Sequence, residues 1–185
     1  MYGTVITDGL VWLKKIQSLV KKQYARMELQ RKILEFSEYR DRLKIYKTFV
    51  RSVLEKSCVV WHSSLTLKNT SDLERCQRAA VKIITDGKYS YREGLKFLNL
   101  PTLKERRKTL TATFARKCLT NKKTRSMFKL NHKTHKMKLR HSEKYKEENI
   151  KTKRLYNSAI PYMQRILNRQ HRENKIMLTK YKYNT

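Results

Sequence analysis

Helix-breaking residues are scarce in this sequence, which has 4 Gly and 2 Pro among 185 residues. Chains rich in hairpins and tight turns use both residue types often, because turns need the backbone angles that they favour. Apolar residues also recur at intervals of three and four, which is the spacing of one helix face. The composition therefore argues against a β-rich fold and predicts an all-α fold of five or six helices.

Acidic residues are also scarce, with 15 Asp and Glu against 45 Lys and Arg. The four Asp residues are Asp8, Asp41, Asp72 and Asp86, and no two of them are adjacent. Nucleotidyl transfer requires clustered carboxylates that hold two metal ions roughly 3.5–4 Å apart. The sequence also lacks a Gly-rich phosphate loop and a Gly-x-Ser-x-Gly motif. These absences predict a chain without catalytic residues of its own.

The cysteines are few, odd in number and far apart, at Cys58, Cys76 and Cys118. This spacing does not fit a disulfide framework and favours reduced, buried thiols in an intracellular protein, nuclear or cytoplasmic. No secretory signal is visible at the start of the sequence. Zinc sites usually show two close pairs of ligands, and neither Cys58 with His62 nor Cys118 with the later histidines completes such a set. No metal or other cofactor is predicted in this chain.

Long apolar runs are absent, since no run approaches the roughly 20 residues that a membrane-spanning helix needs. The net charge is +30, and like charges in a compact domain repel one another unless a polyanion or many counterions neutralise them. Nucleic acid is the commonest such partner, and an anionic membrane surface is the second.

The basic residues are unevenly distributed. Residues 1–100 hold 20 basic and 10 acidic residues, whereas residues 101–185 hold 25 and 5. This asymmetry predicts a compact front and a basic, partly disordered rear. The predicted boundaries are a helical domain over 1–119, a basic flexible linker over 120–156, a C-terminal helix over 157–170 and a basic tail over 171–185.

Apolar spacing predicts a long first helix over 10–36 and a second helix from about Glu38 that runs into the sequence CVVWH. The segment SSLTLKNTS is predicted to be a polar connector. Side chains expected to face the core by spacing are Val20, Tyr24, Tyr46, Phe49 and Phe114, and Trp61 is expected to be a core anchor.

Capping boxes mark three predicted helix starts, because each has Ser or Thr followed three residues later by Glu. They are Ser71–Glu74, Ser90–Glu93 and Thr102–Glu105. Ser37 and Ser158 are further candidate caps, and Pro161 suits the first turn of the last helix.

Basic side chains cluster on three of the predicted helices, and Lys14, Lys15, Lys21 and Lys22 line the first of them. Helical spacing places Arg75, Arg78 and Lys82 on one face, largely opposite the apolar edge of the same helix. A basic helical surface of this kind contacts phosphate and sugar, and therefore has little specificity for the base sequence of its ligand. The alternative is that these residues only keep the helices soluble. The candidate nucleic-acid contacts are Arg75, Arg78, Lys82, Lys104, Arg106, Arg107 and Lys108.

Tyrosine is the commonest aromatic residue, with 11 in the chain. Tyr89 and Tyr91 lie close to Lys88 and Arg92 in a predicted loop, a mixture that suits stacking on bases. Ordinary packing is the favoured interpretation of these two tyrosines.

A family resemblance lies in the segment LKIYKTFVRSVLEKSCVVWHSSLTLKNTSDLERCQRAAVKII, followed by LNLPTLKERR and FARKCL. This series resembles the region after the polymerase core of jockey-type non-LTR retrotransposon reverse transcriptases. The later stretch TKRLYNSAIPYMQRILN is similar to the usual C-terminal end of those reading frames. The resemblance covers about Leu13 to Asn168. It implies a thumb-like helical bundle, with a C-terminal extension, that grips the template–primer duplex of RNA and DNA.

The sequence departs from that family in the residues that catalyse the reaction. The family's palm, with its adjacent aspartates and Mg²⁺, has no counterpart here. The resemblance therefore implies a C-terminal fragment of a mobile-element RNA-directed DNA polymerase that is inactive alone. Val59, Val60 and Trp61 are candidates for contact with a palm in a longer parent protein. The alternatives are a non-catalytic helical protein-interaction module, a decaying fragment without function, and peripheral membrane binding by the first helix.

Overall fold

The structure is a computed structural model that describes residues 12–34, 37–131, 144–147 and 149–183. The α-helices in chain order are α1 (Leu13–Leu34), α2 (Tyr39–Ile45), α3 (Ser52–Glu55), α4 (Cys58–Trp61), α5 (Leu67–Ile84), α6 (Tyr91–Phe97), α7 (Leu103–Thr120), α8 (Lys122–Arg125), α9 (Lys153–Tyr156) and α10 (Ala159–Tyr183). A π-helical segment, Tyr46–Arg51, joins α2 to α3, and a 3₁₀ turn, His62–Ser64, follows α4.

The all-α class predicted from the sequence is confirmed. Within the described residues, the β pairing consists of an isolated bridge between Leu130 and Tyr145. The described helices outnumber the five or six that were predicted, because some of the predicted long elements are divided into shorter ones.

The chain divides into two compact units, Met1–Lys108 (unit 1) and Thr109–Thr185 (unit 2). The boundary falls within the residue range of α7, earlier than the predicted boundary after residue 119. The predicted linker over 120–156 is also too broad, because Phe128 and Tyr145 within it are buried in the core of unit 2. Residues 132–143 and 148 of that predicted linker lie outside the described part.

Helix α1 begins and ends close to its predicted bounds and packs against α5. Its buried face differs from the prediction, since Leu19 and Gln23 are buried whereas Tyr24 is 45% exposed. Residues four apart from Leu19 to Gln23 to Met27 share one helix face, and this face points inward. Spacing also assigns Ile16 and Met27 to the predicted face, and both are buried, so the prediction is displaced by one residue only at Val20 and Tyr24.

The predicted second helix is broken by two local departures from α geometry. In the π-helical segment the longer turn keeps Tyr46 and Val50, which are four residues apart, on the buried side. Leu54 of α3, four residues further on, is buried as well. Phe49 is consequently turned outward and is 62% exposed, so the prediction of a core Phe49 is wrong. Ser57, with φ of 55°, then separates α3 from α4 because a left-handed residue cannot continue a right-handed helix.

Helix α5 begins earlier than predicted. Thr66 has extended backbone angles, and its hydroxyl accepts a hydrogen bond from the Asn69 N–H at 3.1 Å. The segment predicted as a polar connector therefore supplies the first turn of α5, and the predicted cap Ser71 lies inside the helix. Several polar residues in that segment hid the helix start from composition alone.

The other two capping boxes are confirmed by their hydrogen bonds. The Ser90 hydroxyl accepts from the Glu93 N–H, and the Glu93 carboxylate accepts from the Ser90 N–H at 3.0 Å. Thr102 and Glu105 make the same reciprocal pair, at 3.1 and 3.2 Å. Ser37 is not a helix cap, because Glu38 occupies the N-cap position of α2.

Unit 2 has its own core, formed by Ala115 and Cys118 of α7, Phe128, Tyr145, and Met163 and Leu167 of α10. Phe114, which was expected inside, is 43% exposed. Residues predicted to form a frayed tail from 171 onward continue α10 as far as Tyr183. Ser158 directly precedes α10, and its carbonyl accepts from the Tyr162 N–H at 3.1 Å, which is the position predicted for a cap. Its hydroxyl donates to the Leu155 carbonyl at 2.7 Å.

Asn168 attaches an extended segment to α10. Its side-chain amide donates to the Tyr145 carbonyl at 3.0 Å and its side-chain carbonyl accepts from the Tyr145 N–H at 2.9 Å. A third hydrogen bond joins the same amide to Glu147 at 3.1 Å. Asn168 thus satisfies backbone groups that have no helix or sheet ladder of their own, and it is fully buried.

Candidate nucleic-acid interface

The outward face of α5 carries the first group of predicted contacts. Arg75, Arg78 and Lys82 are all exposed, while Leu73 and Ala80 on the opposite edge are fully buried. Arg75 lies 3.6 Å from Asp72, and its side chain remains 65% exposed. An exposed ion pair one helical turn apart contributes little energy and leaves the guanidinium free to exchange partners. The structure therefore places these three cations where a phosphate backbone can reach them.

The beginning of α7 carries the second group, but only part of it faces outward. Lys104 and Lys108 are exposed, whereas Arg107 is fully buried. Leu103 and Arg107 are four residues apart and share the inward face of the helix. Arg107 was included among the predicted contacts because of its charge, although its spacing from Leu103 already placed it on the inward face.

Arg107 is surrounded by groups that compensate its burial. Its guanidinium lies 5.9 Å from the centre of the Trp61 ring. Burial lowers the pKa of Arg107, and the nearby Glu74, Cys58 and Glu55 act in the opposite direction. In this structure the side chain has no exposed surface with which to contact a phosphate. Arg107 is therefore removed from the predicted set and assigned to the core of unit 1.

Arg106 has an intermediate position. Its Nε donates to a Glu55 carboxylate oxygen at 3.0 Å, and Arg51 lies 3.4 Å from the same oxygen. The Arg106 side chain is 35% exposed. Glu55 therefore directs Arg106 back onto unit 1, and contact with a phosphate would compete with this ion pair.

A polar network beneath α5 fixes the start of α7. The Tyr46 hydroxyl donates to Gln77 at 2.8 Å, and the Gln77 amide donates to the Pro101 carbonyl at 2.9 Å. Glu74 accepts from the Leu103 N–H at 3.3 Å, which places a carboxylate at the N-terminus of α7. A negative charge there is stabilised by the helix dipole. Gln77 and Glu74 were not among the predicted core residues because both are polar, although Gln77 lies four residues after the buried Leu73 on the same helix face.

Tyr91 belongs to the same network rather than to a stacking surface. Its hydroxyl donates to Glu74, and the Arg78 guanidinium lies 5.2 Å from its ring centre. Burial, followed by the hydrogen bond to Glu74, raises the pKa of Tyr91. The packing interpretation is therefore correct for Tyr91, and the contact holds Arg78 over the ring while leaving it exposed.

The lowered pKa of His62 is consistent with a positive potential around the start of α7. Burial, followed by charge repulsion from Arg107, Lys104 and Lys108, lowers the pKa of His62 to about 4. These are the effects expected where cations gather around a partly buried imidazole. The basic character of this surface is therefore a local property and not only a feature of the whole composition.

The residues that remain accessible are Arg75, Arg78, Lys82, Lys104 and Lys108, here called the α5/α7 basic face. All five lie within unit 1. The hydrogen bonds from α5 to Pro101 and Leu103 fix the two helices that carry them. A preorganised array of cations binds a polyanion with less ordering of its own side chains and backbone.

The structure also changes which residues are candidates for contact with a palm. Trp61 is fully buried, and its indole N–H donates to the Lys56 carbonyl at 3.1 Å. Val60 is 46% exposed, whereas Val59 is only partly so. Of the three residues proposed from the sequence, Val60 offers the most surface for another domain.

The described residues contain no group of three or more His, Cys, Asp or Glu side chains placed to hold a metal ion. Cys58, Cys76 and Cys118 are free thiols and are buried, as expected. Burial raises the pKa values of Cys58 and Cys76 to about 11, so both thiols stay protonated at neutral pH. No helix in the described part is both long and apolar enough to cross a bilayer.

Comparisons of the chain with protein-family models, with curated proteins and with solved structures found no match. The resemblance to jockey-type reverse transcriptases therefore stays a prediction from the quoted motifs.

Proposed function

We propose that this chain binds nucleic acid through the phosphate backbone, using the α5/α7 basic face. The observation that supports this most is the exposure of Arg75, Arg78 and Lys82 on one face of a helix whose other face is fixed by buried packing. The net charge of +30 supplies a long-range attraction for any polyanion. Following the resemblance, the proposed ligand is the template–primer duplex of a jockey-like RNA-directed DNA polymerase, held without sequence specificity and without catalysis by this chain.

Phosphate contact predicts a specific salt dependence of binding. Each phosphate neutralised by a lysine or arginine releases counterions, and the slope of log K against log salt is about −0.9 per contact on duplex DNA. Five side chains in contact therefore predict a slope of about −4 to −5. Binding should depend little on base sequence, because phosphates are identical at every step.

The test replaces Arg75, Arg78 and Lys82 with Gln and measures binding to a labelled duplex by fluorescence anisotropy over a range of salt. The salt slope should fall in magnitude by about 2 to 3, with weaker binding at low salt. The matched control replaces Lys14, Lys21 and Lys22, three exposed lysines of α1, with Gln. The control removes the same charge and should change the slope by less.

Equal effects of the two triple variants would show that charge alone, without a localised surface, attracts the duplex. A flat salt dependence of the unmodified chain would contradict phosphate binding altogether. Primer extension with Mg²⁺ and nucleotides provides a further check, since the chain is expected to show none, and detectable extension would contradict a non-catalytic role.

A further inference from the structure

An exposed aromatic cluster lies on unit 1 outside the α5/α7 basic face. The Phe97 ring centre is 4.9 Å from that of Tyr89, with the planes 19° apart, and 5.4 Å from that of Tyr39. Tyr39 and Tyr89 are each 41% exposed, and Phe97 is 48% exposed. Phe97 joins the three rings into one cluster, and their exposure leaves an aromatic surface open to solvent, whereas large rings in contact are normally buried.

The cluster rests on a closely packed helix pair. A Cβ added at Gly94 of α6 would lie 2.5 Å from the Val81 Cγ1 of α5, so only glycine permits this approach. Tyr89 lies just before α6 and Phe97 ends it, and the approach of α6 to α5 therefore sets the positions of both rings.

The turn before Tyr89 is fixed as well. Asp86 and Gly87 have φ of 50° and 71°, which makes a tight reversal after α5. The Asp86 carboxylate pairs with Arg42 of α2, and the Ser90–Glu93 capping box closes the other side of the turn. These contacts tie the α2 region, which carries Tyr39, to the turn that carries Tyr89. The aromatic surface is therefore preformed.

Each ring of the cluster has a basic neighbour in the chain, namely Arg40 beside Tyr39, Lys88 beside Tyr89 and Lys96 beside Phe97. All three cations are exposed. The acidic groups nearby are largely engaged, since Asp86 pairs with Arg42 and Glu93 accepts within its capping box. Glu38 and Asp41 remain as exposed carboxylates near Tyr39. Rings interleaved with cations suit a ligand that has flat apolar faces separated by negative charges.

We infer that the aromatic cluster binds unpaired bases of a nucleic acid, such as a single-stranded overhang beside a duplex held on the α5/α7 basic face. This inference rests on the proposed function and deepens it, because it names the part of the ligand that each surface takes. Stacking of bases on exposed aromatic rings tolerates any base sequence, and cations nearby hold the intervening phosphates.

The test distinguishes binding of the bases from binding of the phosphates. Three probes are used: a blunt duplex, the same duplex with an overhang of about eight thymidines, and the same overhang built from abasic residues. The chain should bind the thymidine overhang roughly 5- to 20-fold more tightly than the abasic one, because only the former can stack. The double variant Tyr89→Leu/Phe97→Leu keeps apolar volume but removes the rings, and it should lose this preference while binding the blunt duplex as before.

The matched control is Tyr24→Leu/Phe49→Leu, which removes two other exposed aromatic side chains of unit 1. This variant should keep the preference for the thymidine overhang. If the unmodified chain binds all three probes equally, the inference fails and the proposed function stands, and the rings have another occupant, such as a protein. If it binds none of them, the proposed function fails and the inference fails with it. Equal loss of binding to all probes in the Tyr89→Leu/Phe97→Leu variant would also overturn the inference, because the rings would then be structural.

Discussion

Among the described residues, both units bury neutral polar side chains, and unit 1 also buries a charged one. Unit 1 encloses a charged guanidinium, Arg107, close to Trp61, Glu55 and Glu74. The buried polar side chains described in unit 2 are uncharged, namely Thr111, Gln164 and Asn168. Asn168 acts by hydrogen bonding to backbone groups of Tyr145.

The two units therefore stabilise the backbone outside their helices by different interactions. In unit 1, charge and hydrogen bonds join helices to one another, which also fixes the basic surface above them. In unit 2, the short extended segment pairs with Leu130 on one side, and one amide side chain satisfies the Tyr145 backbone groups on the other. Removal of a buried charge leaves its partners uncompensated, whereas removal of a neutral amide leaves only unsatisfied hydrogen-bonding groups. Unit 1 should therefore be the more sensitive to a single polar substitution.

The largest effect is expected from Arg107→Ala, which removes a buried cation that Glu74 helps to compensate, while Glu55 keeps Arg51 and Arg106 as partners. The free energy of unfolding of unit 1 should fall by about 3–5 kcal/mol. Trp12 and Trp61, the two tryptophans of the chain, both lie in unit 1, so tryptophan fluorescence during urea denaturation follows that unit. The neighbouring Lys108→Ala should change stability by no more than about 0.5 kcal/mol, since Lys108 is exposed. Similar effects of the two substitutions would contradict a structural role for Arg107.

The second effect concerns unit 2. Asn168→Ala should lower its stability by about 2–3 kcal/mol, because buried backbone groups of Tyr145 lose their partners. Hydrogen exchange at the Tyr145 amide measures this directly, and protection there should be lost. Arg169→Ala, at the next and exposed position, serves as the control. If the Tyr145 amide stays protected in Asn168→Ala, the segment is held by something other than this side chain.

The third effect is a pH dependence within unit 1. The pKa of His62 is lowered from 6.5 to about 4 in the folded chain, by burial first and then by neighbouring cations. Between these two values the unfolded chain binds more protons, so the stability of unit 1 falls as the pH is lowered. The loss should be on the order of 1–2 kcal/mol, allowing for partial exposure of the imidazole.

Urea denaturation followed by tryptophan fluorescence, from neutral pH down to pH about 4, measures this dependence. The carboxylates of the chain also titrate toward the lower end of this range, and His62→Gln isolates the part that belongs to the imidazole. The substituted chain should lose less stability over the range than the unmodified one. Identical pH profiles would show that His62 protonates freely in the folded state.

The smallest effect compares two serines of unit 1. Ser90→Ala removes the side-chain cap of α6 and should cost about 1 kcal/mol. Ser71→Ala changes an exposed residue inside α5, where alanine is the better helix former, so stability should change by no more than about 0.5 kcal/mol. Urea denaturation measures both. A larger loss at Ser71 would show that α5 begins at the predicted position after all.

Two of the three capping boxes were predicted correctly, because such a box is a local arrangement that four consecutive residues specify. The start of α5 was missed, since Thr66 and Ser71 offer equally good caps and only the fold selects between them. The π-helical turn at Tyr46–Arg51 could not be predicted from a three-and-four periodicity, and this is why Phe49 was placed inside. The basic candidates on α5 were placed correctly because all lie opposite an unmistakable apolar edge.

The sequence by itself determined the helical class, the starts of α6 and α7 and the excess of positive charge, since these follow from composition and local capping motifs. Tertiary structure alone decided which cations of the α7 charge run stay in solvent and which one is buried, because that depends on Glu55, Glu74 and Trp61 arriving from other parts of the chain. It also decided that Tyr39, Tyr89 and Phe97 meet at the surface. Contacts between residues far apart in sequence are set by packing, and no local pattern encodes them.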